Sequence, residues 1–316
     1  MRRGWRTGLR LRLGWRTGLD ELVKVRIGIG LGGAGGPDGF GAAVDLLEQI
    51  GVDSLWLPEM VYGDLVEPFI GMAHALSRTS RLKVGSGLSV LPGRHPVLVA
   101  KQLGSLAGLA PRRVLPVFGL KPARPSELSL FPVPPARRAA VFDESLELLR
   151  LLLRQRSVSF QGEFFAVEGA SVGPRPAKPL DIWLGGSAPG ALRRVGRLGD
   201  GWLASFLTPA EAAAGRQAIQ DAAAAAGREV EPDHFGISLA VATGGIPAEL
   251  TEAARQRRPD ADPAALIATS WPDAARLIEA YVAAGLSKFV IRPAATPASL
   301  GRFIDDFARE MLPLQN

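Results

Sequence analysis

The chain has 316 residues, 47 % hydrophobic and 22 % charged, the balance of a globular protein with a large core. It has no cysteine, which excludes disulfides, thiolate catalysis and cysteine metal sites, and its three histidines (His74, His95, His234) lie too far apart in sequence to show a metal-ligand spacing. The net charge of +6 comes from residues 1–19, which hold six arginines and no acid; the remainder sets 31 basic against 31 acidic residues, which argues against a nucleic-acid surface on the body.

That basic segment repeats GWRTGL at 4–9 and 14–19. Arginines and tryptophans of this kind can touch RNA, DNA or anionic lipid. The plainer expectation is that residues 1–22 are a disordered extension, or upstream sequence from a wrongly chosen start codon, ahead of a single domain at 23–316. No apolar run is long enough to span a bilayer and no signal-peptide core is present, so a cytoplasmic protein without a membrane partner is expected.

From there strand and helix patterns alternate. Residues 23–31 (VKVRIGIGL) alternate apolar and other side chains up to a GGAGG loop, and Phe40, Val44, Leu47 and Ile50 then fall at helical spacing. A short strand is predicted at 53–57 and the start of a helix at 68–76. Leu82, Val84, Leu88 and Val90 make a third strand closed by Pro92-Gly93, and 96–109 is a helix with Pro96 in its first turn. The fourth strand is 114–119, and the proline-rich loop 120–135 behind it is too long for an ordinary βα turn. Phe142, Leu146, Leu149 and Leu153 share a helix face, a hairpin occupies 157–168, and an apolar run follows at Leu180, Ile182, Trp183 and Leu184. Further on come a strand at 201–204, a helix at 209–226, a strand at 235–242, a helix at 272–284 and a strand at 288–292. Leu300, Phe303, Phe307 and Met311 mark the closing helix.

Eight strands, each followed by a helix, fit a (β/α)8 TIM barrel of about 250 residues enlarged by insertions. The rival is a doubly wound sheet, whose GxGxxG fingerprint sits at the first βα turn. Here Gly28-Ile29-Gly30 lies inside the strand and GGAGG has no helix directly attached, which favours the barrel. In a barrel the active site lies at the C-terminal strand ends, so 30–33, 58–60, 86–90, 118–121, 185–188, Ser205, Thr243 and Arg292-Pro293 are candidates by position. Glu59 is the one carboxylate among them, and neither a Ser/His/Asp order nor a carboxylate pair emerges, so hydrolysis is poorly supported. A site short of acid–base groups suits a reaction whose hard step belongs to a bound cofactor.

Residues 177–205 (AKPLDIWLGGSAPGALRRVGRLGDGWLAS) form one unit of strand, glycine turn, helix and strand. Gly185 and Gly186 let backbone N–H groups approach an anion at the first turn of the helix, where the dipole favours negative charge, and Ser187 can add a hydroxyl contact or cap the helix. A glycine pair equally serves any α/β protein that needs a tight turn; these residues alone leave the two readings even.

The same segment resembles the phosphate-loop signature of the luciferase-like flavin and deazaflavin oxidoreductases. Gly51-Val52-Asp53-Ser54-Leu55-Trp56 is similar to that family's second strand, and Gly85-Ser86-Gly87 through Arg94-His95-Pro96 to its third. The region 113–119 matches its fourth strand more loosely, and VSFQGEFF at 158–165 matches its hairpin. The resemblance implies the barrel, a non-prolyl cis peptide at Gly87–Leu88 beneath the cofactor ring, and cofactor contacts at Glu59, Ser86, Gly87, Leu88, Gly119, Gly185, Gly186, Ser187 and Ala188. Glu59, at the end of strand two, becomes the candidate catalytic group facing the ring; its plain alternative is a solvated strand-end carboxylate.

Two departures weigh against the sugar-phosphate dehydrogenase pattern. Met60 stands where some deazaflavin dehydrogenases carry a catalytic histidine, and no glutamate follows strand four near Gly119-Leu120-Lys121. Arg94-His95-Pro96 reads as a structural turn and helix start. The VLPGRHP, DIWLGG and GDGW pattern is most similar to the actinobacterial deazaflavin-dependent branch. The expected cofactor is therefore coenzyme F420, used for hydride transfer to or from a small-molecule substrate. An FMN-dependent monooxygenase is the alternative, and a barrel that only sequesters a flavin or deazaflavin is the second. The substrate pocket is expected from the least patterned segments, 61–67, 120–135 and 243–271, and a homodimer is compatible with the resemblance.

Overall fold

The computed structural model describes residues 24–316, so the basic extension and its repeat lie outside the described residues. β1 (Arg26–Gly30) leads to α1 (Phe40–Ile50), then β2 (Ser54–Leu57) and α2 (Pro68–Arg78). The third strand comes as two pieces, β3 (Lys83–Ser86) and β4 (Ser89–Val90), on either side of a Gly87–Leu88 peptide that is cis, as the resemblance implies. α3 (Pro96–Leu109) starts on His95, whose Nδ1 accepts the Val97 N–H at 3.3 Å while its ring meets Phe165 edge-on. The fourth strand is divided too, into β5 (Val114–Leu115) and β6 (Val117–Gly119), at Pro116, which has no N–H to give a ladder.

α4 (Arg138–Arg154) and the hairpin β7 (Val158–Gln161) and β8 (Ala166–Ala170) precede β9 (Trp183–Gly185) and α5 (Pro189–Leu198). β10 (Gly201–Ser205), α6 (Pro209–Ala225) and β11 (Phe235–Val241) follow. The chain closes with α7 (Ala248–Arg257), α8 (Trp271–Ala283), β12 (Lys288–Pro293) and α9 (Leu300–Met311). α7 is the helix the sequence reading lacks. Ala254 is its one buried residue, so no apolar stripe announces it.

β1 lies between β2 and β12; from there the parallel order runs β12-β11-β10-β9-β6 one way and β2-β3-β5 the other. A single direction of winding excludes the doubly wound order, in which the strand sequence reverses at a switch point. The molecule is a curled parallel sheet with helices outside.

Side-chain alternation separates two cores. Ile27, Ile29, Leu55, Leu57, Phe289 and Ile291 turn outward and pack with Phe142, Leu146, Phe303 and Phe307 from the helices. Trp56, Val117, Trp183, Leu203 and Val290 point the other way and cluster inside the curl. At the N-terminal strand ends Asp53 accepts from Lys83 Nζ at 2.6 Å and Lys288 Nζ at 2.8 Å. Burial alone would raise the Asp53 carboxyl, but those two ammonium groups hold it well below the usual carboxylate range. This is the stabilising face; the opposite strand ends are free for chemistry.

Candidate active site

The alternation that turns Trp56, Val117, Trp183, Leu203 and Val290 inward continues two residues on, at the C-terminal strand ends. Inward positions there include Gly30, Gly119, Gly185, Ser205, Ala240 and Arg292. Five are small and one is charged. Leu88 reaches into the space they leave: a Cβ on Gly119 would overlap its Cδ1, and one on Gly185 would stand 2.5 Å from its Cδ2. Leu88, Gly119 and Gly185 thus form one contiguous floor, and Gly87 beside them is exposed. Ser86 faces another way. It is buried, and its hydroxyl exchanges 3.0 Å hydrogen bonds with the N–H and carbonyl of Val117, tying the third and fourth strands together next to Pro116.

Glu59 is not the solvated carboxylate of the plain alternative, for it is 5 % exposed. It accepts the Val90 N–H at 2.8 Å and both Arg94 terminal nitrogens at 3.0 and 2.6 Å, while its own N–H donates to Leu88 O. A carboxylate matched in this way positions the Leu88 segment; it is no free base.

The glycine turn is built by the residues that follow it. Gly186 has φ of 105°, a left-handed conformation that disfavours any side chain, and its carbonyl accepts the indole N–H of the fully buried Trp202 at 2.8 Å. Asp200 accepts from Ile182 N at 3.0 Å, from Arg150 at 2.6 and 2.8 Å and from Arg228 at 3.2 Å. Against the rise that burial alone would bring, these partners lower its pKa. The N-cap of α5 is Ala188 and no side chain caps it, so Ser187 does not play the capping role open to it in sequence. Residues 186–190 are exposed, and the N–H groups of Ser187 and Ala188 have no backbone partner among the described residues. An uncapped helix start with free N–H groups, reached through a glycine, suits a phosphate.

The segments without sequence pattern converge. Tyr62 donates its N–H to Glu127 Oε1 at 3.0 Å and accepts a hydrogen bond from Arg124; Arg257 donates to Ala123 O at 2.9 Å. The loops after β2 and β6 and helix α7 are thereby linked. α7 and the residues after it also pack on the inner ends of the strands, where Ala240, Ala242, Ala254, Leu266 and Ile267 share a cluster with Phe206. Sequence reasoning missed Arg257 and Phe206, and it gave Arg292 no role beyond its strand-end position. No periodic signal marks them.

Residues 19–287 match the model of the luciferase-like monooxygenase family. An uncharacterized protein of Mycobacterium tuberculosis (strain ATCC 25618 / H37Rv) is 39 % identical over 138 residues, 44 % of this chain and 47 % of that protein. An F420-dependent glucose-6-phosphate dehydrogenase of Kineococcus radiotolerans is 27 % identical over 164 residues, 49 % of each chain. The chain spans about half the length of the curated relatives it matches. Among solved structures, an F420-dependent secondary alcohol dehydrogenase in complex with an F420-acetone adduct superposes with a TM-score of 0.76 at 16 % identity, covering 93 % of this chain and 100 % of that one. With a family match across most of its length and the glycine turn, cis peptide and strand winding in place, this chain belongs to the luciferase-like monooxygenase family.

Proposed function

We propose that the protein is a coenzyme F420-dependent oxidoreductase that transfers a hydride between the deazaflavin and a small organic substrate. The observation that carries this is the contiguity of Leu88, Gly119 and Gly185 with the uncapped turn at Gly186–Ala188. It offers a floor for a flat ring beside a cradle for its phosphate. The relatives named as F420-dependent dehydrogenases support the choice of cofactor. We read residues 23–316 as one domain and its sheet as a closed (β/α)8 barrel. The pairing of β3 with β5 and of β4 with β6 supports closure, since the third strand then meets the fourth on both sides of the cis peptide.

In this reading the N–H groups of Ser187 and Ala188 receive the phosphate, and Gly87 and Leu88 support the ring. Glu59 and Arg94 hold that support from behind. Bound F420 supplies the hydride chemistry, and the protein's part is orientation and exclusion of water.

Titrating the full chain with F420 and with FMN tests the reading. F420 is expected to bind more tightly, and a substrate screen with reduced or oxidised F420 should then yield turnover. Tight FMN binding with oxygen consumption would replace this reading with the monooxygenase. Binding without turnover across the screen would leave a barrel that sequesters its cofactor.

A further inference from the structure

The loop behind β6 divides its contacts between two places. Its first half, around Ala123, Arg124 and Glu127, is tied to Tyr62 behind β2 and to Arg257 of α7. Its second half turns back at Phe131, which is 4 % exposed and lies against Arg94, the guanidinium carbon standing 5.1 Å from the ring centre. Gly93 makes that approach possible. Its φ is 102°, and a Cβ there would stand 2.9 Å from Phe131 Cα. Arg138, at the start of α4, fixes the turn from the other side. It donates to Phe131 O at 2.7 Å and to Val133 O at 3.2 Å, it is 3 % exposed, and it pairs with no acid among the described residues.

A buried guanidinium without a counter-charge costs stability, and a fold that breaks this local rule commonly does so at a functional site. Here the cost goes into holding Phe131, and Phe131 touches the group that secures the Leu88 segment. Arg94 donates to Glu59 with both terminal nitrogens and also to Val90 O. Glu59 in turn accepts the Val90 N–H and donates its own N–H to Leu88 O. An aromatic ring beside the guanidinium attracts its charge and keeps water from the pair it forms with Glu59. One continuous set of contacts therefore runs from Arg138 through Phe131, Arg94 and Glu59 to Leu88 and Val90, joining four separate parts of the chain.

We propose that Phe131, held in place by Arg138, is a positioning residue of the candidate active site. Its ring fixes the Arg94 guanidinium, and through Glu59 it sets where the Leu88 segment lies beneath the cofactor ring. The proposal rests on reading Leu88, Gly119 and Gly185 as the floor of the cofactor site, and it adds the residues that keep this floor in place. It also divides the labour of the loop at 120–135, which the sequence assigns as a whole to the substrate pocket. The half that ends at Glu127 joins the other unpatterned segments, whereas the half around Phe131 serves the floor.

Two variants of the full chain test this. F131L keeps most of the apolar bulk and removes the ring. R138M keeps the stem of Arg138, removes its hydrogen bonds to the loop and takes away a buried unpaired charge, so its melting temperature should equal or exceed that of wild type. Hydrogen exchange is measured first without cofactor. In both variants backbone amides at 87–91 should exchange at least about threefold faster than in wild type, with those of α9 unchanged. Titration with F420 is the second arm. F131L should bind about fivefold more weakly, the scale of a partly shielded cation–π contact, and R138M about threefold more weakly. L130A, which trims the exposed neighbour of Phe131, should match wild type in both arms. Wild-type exchange at 87–91 in both variants overturns the proposal, as does acceleration that extends equally to α9, because Phe131 and Arg138 would then act through the general core. Faster exchange at 87–91 with F420 affinity unchanged overturns it too, since the floor would not depend on the contact. If wild type binds no F420 while both variants still loosen 87–91, the hold on the Leu88 segment stands and the cofactor reading falls.

Discussion

Gly119, Gly185 and Gly186 lie within one small region, yet they are glycine for different reasons. The first two make room for Leu88, whereas Gly186 adopts a backbone conformation that a side chain disfavours. Their alanine variants should therefore behave differently. In G119A the new methyl meets the far end of Leu88, a half-buried side chain that is able to turn away. A stability loss of no more than about 1 kcal/mol is expected, at the low end of overpacking costs, with weaker F420 binding because the floor is disturbed. G186A should cost about 1–3 kcal/mol whether or not cofactor is present, the range for an L residue forced into a sparsely populated region. Urea unfolding of the two variants checks both. A midpoint for G186A equal to wild type would mean that the turn has another accessible backbone.

The glycine turn depends on elements that come after it. Trp202 on β10 reaches back to Gly186 O, and Gly215 on α6 leaves room for its six-membered ring, since a Cβ there would stand 2.7 Å from Cη2. Asp200 joins α4, the start of β9 and Arg228 through its carboxylate. W202F keeps most of the apolar volume and removes the indole N–H. The buried Gly186 linkage is lost, and the expected cost is about 1–3 kcal/mol. Hydrogen exchange should locate the effect: backbone amides near the start of α5 should exchange faster than in wild type, with those of α9 unchanged. Uniform acceleration across the chain would mean that Trp202 acts through the general core instead.

Acid should unfold the protein through carboxylates that the fold holds ionised. The Glu211 carboxyl sits at about 2 because Arg258 and the Thr208 cap outweigh its burial. Glu48 sits at about 2, against burial, through the N–H groups of Leu82, Ser80 and Arg81. Asp53 and Asp200 are lowered as well. Each has a folded pKa below its unfolded value of about 4, so its contribution is complete above that value and disappears as pH falls toward 2. Melting temperature should accordingly be flat from about pH 5 to 7 and drop steeply below about pH 4. D53N leaves the 4 %-exposed Lys288 without its acid and should cost about 3–5 kcal/mol at pH 7. A loss under 1 kcal/mol would show that Lys288 gives up its proton instead.

Periodicity in the sequence was enough to place most of the elements, because a strand that faces a core on each side, or a helix that covers one, must write that burial into its side chains. The helix at Pro96–Leu109 has the bounds expected from its sequence, and the third strand lies where Leu82, Val84, Leu88 and Val90 indicate. The glycine turn was legible as a turn, and family resemblance made it a phosphate candidate. Three things needed the folded chain. Glu59 reads in sequence as a candidate catalytic group or a solvated strand-end carboxylate, and only the fold shows that Arg94, thirty-five positions later, is its partner. α7 was silent because it buries one alanine. Arg257, Phe206 and Arg292 come together only when β10, α7 and β12 meet at the strand ends. Burial repeats at short range and leaves a pattern in sequence, whereas a side chain's counter-charge is set by long-range contact, and no local spacing records whether it has one.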